Sequence, residues 1–365
     1  MSAPETARDI GIFSAGEHYA VEQAHRIDPD EQHHAATGRI LDHYLHTAYT
    51  ADQLLDPARD PLTLAPPRPG VTPEHPADYG QALDWFTAED AVLLAAVDHA
   101  AATGFDTHTW QLAWTLIDFL NRRGRWHDKV ATQHAAVAAA RRLADLPVQA
   151  RTHRSLGNAY TRLGRFDDAH TQIWHALDLY RQAGDLAGQA HTHFDLAYVW
   201  ERRGRHAEAL DHARQALDLF RAAGHRRGQV LALNQVGRCH ALLGDHRQAL
   251  TCCQQALTLL QELNDRDGQA ATWDSLGYAH HHLGHHTQAI ACYQHALDLV
   301  RDLGRRYEEA VLLIHLGDTH HATGNPEAAR TAWQQALTIL DQLDHPDADQ
   351  VRTRLTALDT PSATT

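Results

Sequence analysis

Thirty-one histidines are the first place to look for chemistry in this 365-residue chain. The densest cluster is HHHLGHH, His280 to His286, where His281 and His285 have the i, i+4 spacing by which one helix face offers two nitrogens to zinc. Gly284 stands between them and is expected to turn the chain, which takes His285 off that face. His240, His280 and His320 recur 40 residues apart in a column that earlier holds Tyr160 and Trp200, so they are read as ring-packing residues. Neighbours in such a column lie on the order of 10 Å apart, too far to share one zinc at nitrogen distances of about 2 Å. No metal site is assigned.

Other chemistry is equally thin. The chain has no HExxH, no GxSxG and no glycine-rich nucleotide fingerprint, and its one lysine, Lys129, follows Asp128 rather than closing a GxxxxGK[ST] loop. Asp167 and Asp168 open a predicted helix, where acids favour the macrodipole. Neither a catalytic residue nor a cofactor is assigned, and the chain is read as a non-enzyme. With 32 basic against 46 acidic residues and a net charge of -14, direct nucleic-acid binding is not expected. Nothing approaches the apolar length that crosses a bilayer, and MSAPETARD lacks the basic and apolar regions of a signal peptide, so a cytoplasmic location is expected. Cys239, Cys252, Cys253 and Cys292 form no CxxC pair and are read as reduced packing residues. The histidines, titrating near pH 6.5, should collapse the negative charge around a pI of 6.1.

A repeat of 40 residues organises the rest. Gly164, Gly204, Gly244, Gly284 and Gly324 keep that spacing, as do Ala169, Ala209, Ala249, Ala289 and Ala329, and Ala176, Ala216, Ala256, Ala296 and Ala336. Each unit holds two apolar stripes of helical period around a glycine turn, and in the fifth unit Asn325 and Pro326 mark the second helix as N-cap and first position. The fold class is therefore all-α, a solenoid of antiparallel helix pairs. Small residues at Gly157, Gly237, Gly277 and Gly317 predict close helix approach. The layout is a segment over 1–30, a helical region over 31–108, an eroded unit over 109–150 and five repeats over 151–345. A capping helix over 346–358 and a frayed tail over 359–365 complete it. Seven of the 13 prolines fall between Pro57 and Pro76, which makes 56–80 an extended linker. Before it Gly38 to Leu55 reads as helix, and after it Ala82 to Gly104 reads as one or two.

Trp273, Leu276, Gly277, Ala289, Tyr293 and Ala296 show best the pattern that resembles the tetratricopeptide repeat, covering about 235 residues. The resemblance implies a right-handed superhelix of TPR type whose first helices line a concave groove that binds protein or peptide. HYAVEQA, ILDHYLHTAYTADQLL, ALDWFTAEDAVLLAAV and GRRYEEAVLLIHLGDTHHATGNPEAARTAWQQAL further resemble the C-terminal half of actinobacterial transcriptional regulators of the SARP and STAND ATPase type. The DNA-binding and ATPase functions of those regulators are not carried over, since neither a helix-turn-helix nor a phosphate loop is present. The chain is either a separated sensor module, which its natural-looking start favours, or a fragment.

On the groove-lining face stand Arg151, Arg154, Asn158 and Arg162, then His191, Phe194, Tyr198 and Arg202, then Asn234 and Arg238, then Asp274, Tyr278 and His281, then Ile314, Asp318 and His321. Phe194, Tyr198 and Tyr278 would be exposed aromatics of the kind enriched at binding sites. Asn158 and Asn234 could pair with the backbone of an extended ligand. Arginines dominate early repeats and aspartates late ones, which predicts a polarised groove with the acidic end of a protein or peptide at Arg154, Asn158 and Arg238. Two other readings stay open: a receptor for a small signalling peptide, and a metal- or small-molecule-dependent activity between the N-terminal helices and the groove. The oligomeric state is unassigned.

Overall fold

Glycine turns and helix caps set the elements. In the computed structural model, which describes residues 30–57 and 59–359, there are sixteen helices and no strand among the described residues. HYAVEQA and the tail beyond 359 lie outside the described residues. Helices α1 (Asp30–Leu55), α2 (Tyr79–Ala88) and α3 (Asp90–Ala102) precede the array. Six helix pairs follow: α4 (Asp106–Arg123) with α5 (Trp126–Leu143), α6 (Leu146–Arg162) with α7 (Phe166–Ala183), α8 (Leu186–Arg202) with α9 (His206–Ala222), α10 (Arg226–Leu242) with α11 (His246–Glu262), α12 (Arg266–His282) with α13 (His286–Asp302), and α14 (Arg306–Ala322) with α15 (Pro326–Gln342). Helix α16 (Ala348–Asp359) is the last. The eroded leading unit thus folds as a full pair, in the same 40-residue frame.

Boundaries follow local chemistry. Asp145, Asp185 and Asp265 each accept a hydrogen bond from the backbone N–H three residues on, and Asn325 does the same for α15 ahead of Pro326. Gly284, at φ +76°, turns the chain between α12 and α13, and His285 becomes the N-cap of α13 rather than a member of the His281 helix face.

The two alanine columns are wholly buried, which lets paired helices approach closely. A Cβ at Gly277 would lie 2.5 Å from the Tyr293 ring, and one at Gly317 would lie 2.4 Å from Trp333. A second small-residue column, Gly188, Gly228 and Gly268, does the same between repeats: a Cβ at Gly188 would meet Tyr180 at 2.3 Å. Each buried aromatic or leucine of these seams contributes about 1.5 to 3 kcal/mol.

The proline-rich segment is strapped along α1. Arg68 donates to Asp42 through its backbone N–H and its guanidinium, both at 2.8 Å, and the Glu74 N–H donates to Thr47 Oγ1 at 2.9 Å.

The array then closes on itself. Arg122, 1% exposed, donates to Asp118 (2.6 Å), to the Leu55 carbonyl (2.8 Å) and to the Leu303 carbonyl (2.5 Å), which also accepts from the Tyr79 hydroxyl at 2.9 Å. Arg305 lies 2.8 Å from both Asp118 and Asp267. Against the opposing effect of burial, Arg305 and Arg122 hold the Asp118 carboxyl down at about 2. Trp126 of α5 joins the apolar cluster of the last repeat, with Tyr307 and His345 at 5.5 and 5.1 Å. The His345 ring reaches the Arg162 carbonyl at 3.0 Å.

Candidate functional site: the concave face

The first helix of each pair carries the residues expected to line a groove, and the structure places their arginines, Arg151 apart, and their aspartates in ion pairs within the chain. Arg154 Nε lies 3.0 Å from Asp195 Oδ2, to which Asn158 Nδ2 also donates at 3.2 Å. Arg162 pairs with Glu308 at 3.0 Å, and Arg202 reaches both Asp347 and the Tyr307 hydroxyl at 3.2 Å, so these two cross to the last repeat. Arg238 bridges Glu201 at 2.6 Å and Asp274 at 3.0 Å. Asp318 accepts from Arg354 Nε at 3.0 Å and from Trp333 Nε1 at 3.1 Å.

Three sequence expectations change here. Phe194, Tyr198 and Tyr278 are half-buried rather than exposed: Phe194 packs beside Ala190 and Phe220, Tyr198 lies under the Arg162 guanidinium at 5.6 Å, and Tyr278 packs on Ala241, Ala249 and Ala279. The groove is not polarised from basic to acidic, because Asp195, Glu201, Glu308 and Asp347 interleave with the arginines. The carboxylate-holding trio of Arg154, Asn158 and Arg238 is also already engaged by Asp195, Glu201 and Asp274. Asn234 is buried, and its Oδ1 has no hydrogen-bond partner among the described residues. The guanidinium of Arg151 sits 6.0 Å from the Trp114 ring, and no hydrogen bond or ion pair joins it to a described residue.

Burial also corrects the titration reading. His153 and His193 are pushed down to about 4 by desolvation, so they stay neutral well below pH 6.5 and take no part in a charge collapse there. Desolvation likewise raises the thiols of Cys239 and Cys253 to about 12, which makes them inert packing residues. Lys129, buried against Asn121 Oδ1 at 2.9 Å, is pushed down to about 7 by desolvation, with Arg162 and Arg59 adding to it.

The linker enters this face. Arg59 lies over the Trp114 ring at 3.4 Å and pairs with Asp52 at 2.5 Å, and Asp56 lies 3.5 Å from Arg227. Asp60 lies between two imidazoles, its Oδ2 3.1 Å from His191 Nε2 and its Oδ1 3.1 Å from His225 Nε2. These ligand atoms lie within 4.8 Å of one another, close enough for a metal. The tautomer argues otherwise: His225 Nδ1 accepts the Gly228 N–H at 2.9 Å, so the ring proton sits on Nε2 and points at Asp60. A cation there would displace that proton and the helix cap together.

Asp60, Glu308 and Asp347 carried no local signal in the sequence. His225 and Arg305 did. They stand in the N-cap column otherwise filled by Asp145, Asp185 and Asp265, and both hold carboxylates from elsewhere in the chain.

A cleft of about 600 Å³ between α13, α14 and α15, lined by Leu297, Arg301, Leu313 and His320 among others, contains none of the groove residues named above.

Tetratricopeptide repeat models match residues 150–183, 190–215, 228–302 and 269–342. The chain is a tetratricopeptide repeat protein. Among solved structures, a Rap protein complexed with competence and sporulation factor is similar over 77% of this chain and 80% of its own, at 15% identity and a TM-score of 0.55. The apo form of RapI is similar over 72% and 97%, at 11% identity and a TM-score of 0.56. A STAND protein with a tetratricopeptide repeat sensor from Pyrococcus horikoshii aligns over 98% of this chain and 63% of its own, at 14% identity and a TM-score of 0.47. The two Rap likenesses show the fold. No curated protein matches the chain by sequence. No described helix is long and apolar enough to cross a membrane.

Proposed function

We propose that this chain is a non-catalytic scaffold or sensor whose concave face takes a protein or peptide segment, acting in the cytoplasm in bacterial transcriptional or signalling regulation. One observation carries the reading: the arginines at Arg154, Arg162, Arg202 and Arg238 each hold a carboxylate of the chain itself, on a face that in this fold offers a continuous surface to extended partners. Arg151, beside them, is a cation without such a partner among the described residues. The unpaired amide oxygen of Asn234 suits the backbone N–H of an extended peptide. The fold shared with a Rap conjugation gene regulator in complex with the Phr* peptide agrees with a peptide-sized occupant.

Capture of partners from the native host on the full chain, followed by mass spectrometry, tests this. Arg238→Glu is a poor probe, because it would set a third carboxylate beside Glu201 and Asp274 and disturb folding. Arg151→Glu should weaken capture of the same partner at least about tenfold, roughly 1.4 kcal/mol, with unchanged helical content. Undiminished capture by that variant would contradict the placement.

A further inference from the structure

The linker is held in the groove by a carboxylate, and the chemistry of its seat points to a ligand. Asp60 is half-exposed, while His191 and His225 are about one-fifth exposed, so the acid comes from outside onto two imidazoles already built into the wall. His225 is fixed by capping α10 through Nδ1, and its ring packs against Phe220 at 5.2 Å. His191 meets Phe220 edge-on at 4.8 Å and His225 at 5.3 Å. Two N–H donors, each aimed at a different oxygen, make a bidentate carboxylate grip. The charges of Arg151 and Arg154 act on Asp60 as well, and Arg151 has no anion of its own. Hydrogen bonding from His191 holds the Asp60 carboxyl well below the usual carboxylate range, while burial pushes His191 down to about 4. His191 therefore acts as a neutral donor at pH 7, while Arg151 and Arg154 contribute positive charge to Asp60.

We propose that His191, His225, Arg151 and Arg154 form a binding seat for a carboxylate-bearing peptide, and that Asp60 occupies it as an internal competitor. The proposal rests on the concave face being the binding surface, and it adds the ligand chemistry and a built-in control. An acid tethered by a short linker competes at an effective concentration on the order of millimolar. A ligand must displace Asp60 to reach the seat, and its arrival frees the start of the linker from α8 and α10. A free peptide C-terminus and an acidic side chain present the same two oxygens.

Two probes distinguish these sources: acetyl-Gly-Asp-Gly-amide, and acetyl-Gly-Ala-Gly with a free C-terminus. Each is titrated by calorimetry into the full chain, its Asp60→Ala variant, and Asp60→Ala combined with His191→Phe. At least one probe is expected to bind Asp60→Ala about tenfold or more tighter than the parent, and His191→Phe should abolish that gain. Asp60→Asn, which keeps an acceptor but not the charge, should fall between and covers the case in which the alanine variant folds poorly. Equal affinities for the parent and both Asp60 variants would overturn the proposal, as would zinc retained by the parent through His191 and His225. If the seat fails while the host partner still binds the parent and is lost in Arg151→Glu, the scaffold reading survives without it. If the seat works but Arg151→Glu leaves capture of the host partner unchanged, the placement of that partner beside Arg151 fails instead.

Discussion

The seams between helices and the closure across the groove are built by opposite means. The seams repeat every 40 residues, use alanine, glycine and aromatic rings, and join neighbours only. The closure occurs once, relies mainly on arginines held by carboxylates and carbonyls beside the Trp126 ring, and joins Arg122, Arg162 and Arg202 to residues of the last repeats. Apolar seams tolerate repetition because every pair meets the same partner. Ion pairs at closure must be matched individually, since a buried charge left alone costs several kcal/mol. The seams therefore define the solenoid, and the closure sets how far it opens.

The largest test of that division is Arg122→Met. Removing this guanidinium strands the Leu55 carbonyl, leaves the Leu303 carbonyl to the Tyr79 hydroxyl and Asp118 to Arg305, so a loss of about 3 to 5 kcal/mol is expected by denaturant unfolding. A loss below about 1 kcal/mol would mean the closure is marginal.

Lys129 gives a pH-dependent version. Its amine is held at about 7 in the fold and titrates near about 10.4 in the unfolded chain. Between those values the unfolded chain binds a proton that the native amine has lost, so native stability rises with pH across that window. Lys129→Met should flatten this rise, gaining on the order of 4 kcal/mol at pH 7 and little above about pH 10.4, read from unfolding midpoints at stepped pH.

On the seam side, Gly277→Val drives a side chain into Tyr293 and should cost about 1 to 3 kcal/mol without changing contacts between α4 and Arg305. The smallest effect belongs to Arg352→Ala. This half-exposed residue pairs with Asp341 and Asp349 at 2.5 and 2.6 Å, outside both systems, and its loss should stay within about 0.5 kcal/mol.

The same division explains what could be read from the sequence. Seam positions recur, so Gly277, Ala289 and Ala296 were legible by comparing each repeat with its siblings; the same comparison singles out the positions from Arg151 to Asp318 expected to line a groove. What those groove residues touch was not legible. Arg162 finds Glu308 and Arg202 finds Asp347 only after the array has turned, and no local period encodes that. The aromatic residues read as exposed are half-buried because adjacent helices pack against Phe194 and Tyr278 and the Arg162 guanidinium lies over Tyr198. Arg305 breaks the aspartate N-cap column and was a readable trace of the closure, as His225 was of the linker seat.

Spin labels at His127 on α5 and Asp344 after α15 test the closure most directly. Both positions are exposed beside the junction of Trp126 with His345, and the four native thiols are buried, so introduced cysteines take the label. A single narrow distribution at short distance is expected from pulsed dipolar spectroscopy, broadening to longer distances in Arg122→Met. A broad, long distribution in the unsubstituted background would contradict the closed array.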